Sequence, residues 1–169
     1  ARYAVANHKK RFHRQGRHRM SETAPRRFPA AELEDFIARA LTSVGLPAQD
    51  ASDCGRLIVA SDLAGFDTHG VFRLAQYMKR IRAGGINVTP TITTVTEAPA
   101  TAVVDGDNAM GHLVVEYATK LAIAKARDTG CAWVGVRRSN HAGAAATYVS
   151  MVADADLIAL YGTNGSANH

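Results

Sequence analysis

Cysteine is scarce in this 169-residue chain. Cys54 and Cys131 are the only two, far apart and outside any paired spacing. That excludes a disulfide framework and a thiolate metal site, and fits a reducing cytoplasm. No apolar stretch is long enough to span a bilayer, so no membrane association is expected. A dinucleotide fingerprint of the Rossmann type needs two glycines flanking one residue, and the chain holds no such triplet. Three stretches with glycines five apart, starting at Gly65, Gly106 and Gly130, lack the lysine of a phosphate-binding loop. The glycine-flanked serine of the hydrolase elbow is missing too. Outside the first nineteen residues no two histidines stand four apart and no carboxylates adjoin them, so no metal is expected. Repeats and low-complexity segments are absent.

What is present is a globular composition, 47% hydrophobic, in a length suited to one sizeable core. The net charge of +5 is unevenly placed. Residues 1–19 carry Arg2, Lys9, Lys10, Arg11, Arg14, Arg17 and Arg19 with no acid; taking those seven charges from +5 leaves residues 20–169 at −2. This tail also holds His8, His13 and His18, lacks the apolar centre of a secretion signal, and lacks the serine of a transit peptide. The preferred reading sets it upstream of a natural start at Met20-Ser21-Glu22. The alternatives are a transit peptide, to which the arginine richness points despite the missing serine, and a basic arm that binds nucleic acid through phosphates.

Along the chain, the pattern predicts a helix over 29–44, with Leu33, Phe36, Ile37, Ala40 and Leu41 as its buried stripe and Gly45 as its stop. A second helix is expected over 48–63. A third starts at Asp67-Thr68, which would cap it, and ends at Gly84-Gly85. The β-branched runs 91–96 and 101–104 read as strands, followed by a turn at Asp105-Gly106-Asp107-Asn108. Next come a helix over 113–128, a strand over 131–136, a helix over 143–155 and a strand over 157–161. The expected fold class is therefore α/β: an N-terminal helical segment, then a mixed α/β layer of non-Rossmann type, incomplete at the C-terminus. The expected divisions are 1–19 as a basic tail, 20–88 as the helical region, and 89–169 as the first part of the α/β domain.

Three clusters carry chemistry. In the first, His69, Arg73 and Tyr77 recur four residues apart; at about 100° per residue they share one helical face, with Arg80 nearby. Val71, Leu74, Met78 and Ile81 would form the opposite, core-facing stripe. An imidazole, a guanidinium and a phenol turned outward suit a small carboxylate, although a solvated polar face has the same pattern. The second cluster, Arg137-Arg138-Ser139-Asn140-His141-Ala142-Gly143, joins a strand to a helix; such loops are favoured ligand sites, though Ser139 and Asn140 equally serve as helix caps. The third, Gly162-Thr163-Asn164-Gly165-Ser166, follows the last expected strand and is a ligand loop or a plain turn. His112 is read as capping or lining the nearby helix, with no assigned role.

Together, Asp-Thr-His-Gly-Val-Phe-Arg-Leu with Tyr77, Asp105-Gly106 and Gly111, Ser139-Asn140-His141 with Gly143 and Tyr148, and Thr163-Asn164 resemble the type 2 malate/L-lactate dehydrogenase family. The likeness runs in order from about residue 28 to the end. It implies an NAD- or NADP-dependent oxidoreductase that transfers a hydride to or from C2 of a small 2-oxo or 2-hydroxy acid on a non-Rossmann fold. By the same resemblance His69 is the acid/base and Thr68, usually serine in the family, orients it. Arg73 holds the substrate carboxylate and Tyr77 shapes the pocket. His141 is a second histidine near substrate and nicotinamide, with the acid/base role falling to either imidazole. Asn140, Thr163, Asn164, Gly165 and Ser166 approach the cofactor. Ala64 stands where the family commonly has arginine. Members are about twice this length and dimerise, so the resemblance implies an N-terminal portion of a homodimeric enzyme, and a catalytically silent fragment is a further alternative.

Overall fold

Two prolines set where the first helices begin. The computed structural model describes residues 27–164; the basic tail of residues 1–19, and with it the proposed start at Met20 and the nucleic-acid alternative, lies outside the described residues, as do Gly165 and Ser166. Pro29 (φ −56°) and Pro47 (φ −55°) immediately precede α1 (Ala30–Thr42) and α2 (Ala48–Leu63), and no side-chain cap supplements either. A ring-fixed φ preorganises the first turn without one. Ile37 and Leu41 of α1 are fully buried, as the stripe requires, but Phe36 points outward with half its surface exposed.

The segment after α2 departs from expectation. Residues Asp67–His69 and Val71–Arg73 form two 3₁₀ turns, and α3 spans only Leu74–Arg82. Tyr77 is consequently not on a solvent face: it is 3% exposed and packs with Leu74 and Ile81. Positions 74, 77, 78 and 81 follow the i, i+3, i+4, i+7 spacing of a buried stripe once the helix is counted from Leu74. The angular argument from His69 fails because the helix does not extend back to it.

The helical half closes around Ile37, Leu41, Cys54, Ile58, Leu74 and Tyr77, with Met110 reaching in from the sheet half. That sheet, among the described residues, has the order β1-β2-β3. β1 (Thr93–Ala98) runs antiparallel to β2 (Thr101–Ala109), and β2 runs parallel to β3 (Trp133–Ser139). The parallel pair is joined by α4 (Gly111–Thr129), since parallel strands need a crossover long enough to return the chain. Val114 and Ala118 of α4 pack on Val104 and Ala109 of β2. α5 (Ala145–Ala153) then packs through Tyr148 against Leu57 of α2 and Val115 of α4.

Two further expectations are corrected. The segment Asp105-Gly106-Asp107-Asn108 is not a turn between elements but a bulge inside β2. Asp107 (φ 47°) and Asn108 (φ 59°) take left-handed backbone angles, which short polar side chains tolerate. Pairing jumps from Asp105 opposite Arg137 to Ala109 opposite Ser139. The expected strand over 157–161 does not form. No described strand pairs with it, and Ile158 and Leu160 are 101% and 88% exposed; an apolar run becomes a strand only where a neighbouring edge accepts its backbone hydrogen bonds.

Truncating the buried Leu41 to alanine is expected to lower unfolding free energy by about 2–5 kcal/mol, the usual loss for an aliphatic core side chain. Urea unfolding of the two proteins measures it; a change under about 1 kcal/mol contradicts this account of the core.

Candidate active site

Asp62, in the last turn of α2, organises the segment that carries His69. Its Oδ2 accepts the Val71 N–H at 2.8 Å, so the second 3₁₀ turn hangs from the end of α2. Gly70 lies between the two turns because a Cβ there would overlap the Asp62 carboxylate. Burial and the nearby Asp67 charge raise the Asp62 carboxyl above its ordinary range, and the Val71 N–H draws it partly back. Thr68, expected to cap a helix, instead places its Oγ1 2.9 Å from His69 Nδ1. Arg73 is anchored by one edge: Nε donates to the Thr68 carbonyl at 2.8 Å and Nη1 donates to Gln76 Oε1 at 3.0 Å.

His141 arrives from the loop after β3. Its ring stacks on His69 with centroids 5.5 Å apart and planes 24° from parallel. The Tyr77 hydroxyl lies 2.8 Å from His141 Nδ1, and the Gly143 N–H donates to the same nitrogen at 3.3 Å. A backbone amide can only donate, so Nδ1 carries the lone pair, the Tyr77 O–H donates as well, and the ring proton sits on Nε2. His141 keeps an exposed edge, yet the packing around it removes enough water to lower its pKa. The charge of Arg73, then those of His69 and Arg80, lower it further. Burial in turn pushes the Tyr77 phenol well above its ordinary value.

Of the other expected site residues, Asn140 directs its amide nitrogen into the β2 bulge, donating to the Asn108 carbonyl at 3.0 Å, to Asn108 Oδ1 at 3.0 Å and to the Ala109 carbonyl at 2.9 Å. The same bulge is also clasped by two arginines of β3. Arg137 Nε meets Asp105 Oδ2 at 2.9 Å and Arg138 Nη2 meets Asp107 Oδ1 at 2.6 Å. The Asp107 N–H and these arginines hold the Asp105 carboxyl below its usual range. Thr163 and Asn164 are exposed and are not drawn into the histidine group by any hydrogen bond to a described residue. The structure thus brings Thr68, His69, Arg73, Tyr77 and His141 together, and gives Thr163 and Asn164 no hydrogen bond to any of them. Among the described residues no three His, Cys, Asp or Glu side chains gather as a metal site.

Sequence reasoning missed two contributors. Asp62 gave no signal beyond a carboxylate at a helix end. His112 is wholly buried, with neither ring nitrogen hydrogen-bonded to a described residue. Its ring meets the Tyr77 ring edge-to-face at 5.3 Å. A histidine immediately ahead of an apolar helical run was the available clue.

Comparison with known proteins gives the family. The family profile described as malate/L-lactate dehydrogenase matches residues 28–169. The chain is 44% identical over 138 residues to a malate dehydrogenase of Pyrococcus abyssi, an alignment covering 82% of this chain and 38% of that one. It is 32% identical over 128 residues to a ureidoglycolate dehydrogenase (NAD(+)) of Escherichia coli O157:H7, covering 76% and 37%. Its fold superposes on the solved malate dehydrogenase of Pyrococcus horikoshii OT3 with a TM-score of 0.73 at 43% identity, over 76% of this chain and 37% of that one. All three are dehydrogenases by name. The chain belongs to the malate/L-lactate dehydrogenase family, and it spans somewhat over a third of the length of these relatives.

Burial lowers the His112 pKa from 6.5 to about 3, with His141 contributing. Between those values the unfolded chain binds a proton that the folded one does not, so stability is full above pH 6.5 and declines as pH falls toward 3. The expected slope from this group is at most about 1.4 kcal/mol per pH unit. Urea midpoints at neutral and acid pH measure it, and His112→Leu should flatten the dependence; an equal slope in both proteins contradicts the assignment.

Proposed function

We propose that this chain contributes the substrate-side catalytic groups of an NAD- or NADP-dependent oxidoreductase acting at C2 of a small 2-oxo or 2-hydroxy acid. The observation that carries the reading is the stacking of His69 on His141 beside Arg73, two imidazoles and a guanidinium gathered from opposite halves of the fold. The family relationship supports the reaction class, and the names of the relatives, malate and ureidoglycolate dehydrogenases, supply two 2-hydroxy acids that differ at their far ends.

The residues present fit a nicotinamide. His141 presents an exposed edge, and the adjoining Ala142, Gly143 and Ala144 carry no side chain larger than a methyl that would bar a planar ring. Asn140, Thr163, Asn164, Gly165 and Ser166 are proposed to extend that contact along the dinucleotide. When bound, the dinucleotide supplies or accepts the hydride exchanged with C2 of the acid.

The remaining work falls to this chain's side chains. Thr68 engages His69 at Nδ1, which leaves Nε2 as the atom that gives a proton to the C2 oxygen during reduction and removes it during oxidation. His141 donates a hydrogen bond from Nε2 to the same oxygen and stabilises the charge that develops there. Arg73 uses two of its five N–H donors within the protein and turns the rest to the substrate carboxylate, for which a planar fork is suited. Tyr77 closes the pocket and holds His141. The acid's far end, the choice between NAD and NADP, and a homodimeric assembly of the complete enzyme, working in the cytoplasm, belong to this proposal at the family level.

The test is NADH and NADPH oxidation with a panel of 2-oxo acids by the enzyme at its full encoded length. His69→Ala is expected to lower kcat/KM by roughly 10²–10⁴, the usual loss for a proton-transfer group. Arg73→Lys is expected to lower it by about 10- to 100-fold, chiefly through KM, since the charge stays and the bidentate fork is lost. Oxidation with no member of the panel, or a His69→Ala enzyme within a fewfold of wild type, would falsify the reading.

A further inference from the structure

We infer that His112 is a positioning residue that fixes the tautomer of His141 by holding both of its hydrogen-bond donors. This deepens the proposed function and rests on it for the catalytic consequence alone. A wholly buried imidazole with neither nitrogen hydrogen-bonded to a described residue is unfavourable, since such a group loses its water without recompense. An apolar side chain of similar volume would serve the core better, so packing alone does not account for an imidazole here.

Its contacts supply the account. His112 touches the two groups that donate to His141 Nδ1. It lies against the Tyr77 ring, with planes 85° apart and centroids 5.3 Å apart, and the Tyr77 hydroxyl is 2.8 Å from Nδ1. It also lies against Gly143, where a Cβ would come within 2.9 Å of His112 Nε2, and the Gly143 N–H donates to Nδ1 at 3.3 Å. Gly143 takes a left-handed φ of 76°, the conformation that aims this amide at the imidazole and that leaves no side chain between it and His112. Two donors from distant elements converge on one nitrogen, and a single side chain sets both.

A flat, compact ring fits this place for a reason. Phenylalanine adds bulk on the side where Gly143 approaches, and an aliphatic chain gives up the perpendicular ring contact with Tyr77, an arrangement that fixes one ring's orientation relative to the other. With either, the Tyr77 hydroxyl and the Gly143 amide lose their common backing, and His141 becomes free to carry its proton on Nδ1. A ring so protonated presents a lone pair to substrate where a donor is required.

The experiment is a nitrogen-15 spectrum of the histidine-labelled full-length enzyme, with the His141 signals assigned by their loss in His141→Gln. Wild type is expected to show an unprotonated Nδ1 and a protonated Nε2 at neutral pH. His112→Phe and His112→Met are each expected to move those signals toward a mixture of tautomers and to lower kcat about 10- to 100-fold while KM stays within about twofold, as misorientation of a reacting group does. Tyr77→Phe, which removes one donor and retains the ring, should shift the tautomer in the same direction. A wild-type Nδ1 that is protonated overturns the inference, as do signals unmoved in the His112 variants, or moved signals with unchanged kcat. Failure of both His112 variants to fold also overturns it, marking the residue as a core element only. If the enzyme reduces no 2-oxo acid, the spectra still decide the tautomer, so failure of the proposed reaction and failure of this inference are separable.

Discussion

The hydrogen bond from the Tyr77 hydroxyl to His141 Nδ1 ties the helical half of this molecule to the loop that carries its second imidazole. One partner is rooted in the core made by α1, α2 and α3, and the other sits on the loop that leaves β3. Remove that link and the second imidazole ring loses its one side-chain hydrogen-bond donor, although its loop stays anchored through Asn140 and Ala144. With it, the stacked pair, the arginine beside it and the tautomer of the second ring all follow from how the helices pack. Burial, and then the charges of Arg73, His69 and Arg80, act on a geometry already set and lower the His141 pKa; a ring with its proton on Nε2 is a donor toward whatever occupies the exposed edge.

Supports at some distance from the rings matter as much as the rings. Asp62 suspends the segment carrying His69 by one backbone hydrogen bond, and the bare Cα of Gly70 is what lets the carboxylate come so near. On the other side the β2 bulge, braced by Arg137 and Arg138 through Asp105 and Asp107, gives Asn140 three acceptors to hold. Each imidazole is thus steadied by a carboxylate-centred brace that does not itself face the reacting atoms.

How much of this was legible in the sequence depended on whether a signal was local. The bounds of α2 and the ends marked by Gly84 and Gly130 could be read, because proline before a helix and glycine after it act within one turn of backbone. The burial of Tyr77 was misread because a spacing of four was extended through residues that form 3₁₀ turns, where the angular step differs. Asp105 to Asn108 carry every mark of a turn, yet a strand already paired on both sides absorbs the same backbone angles as a bulge. Residues 157–161 look like a strand in composition, but strand formation is settled by a partner that composition does not reveal. The candidate site was readable as residue types and order; the stacking of His69 on His141 and the place of His112 were not, since they arise from contacts between residues 31 to 72 positions apart.

Tyr77 belongs at once to the tightly packed interior and to the reacting constellation, and this dual membership bears on dynamics. A group anchored in a close-packed interior shares its small amplitude of motion. The imidazoles on this side are accordingly assembled before any ligand arrives, and ordering on binding is left to whatever approaches the exposed edge of His141. Half of the constellation is a rigid anvil, and adaptation to acids of different shape falls to the surface that closes against it.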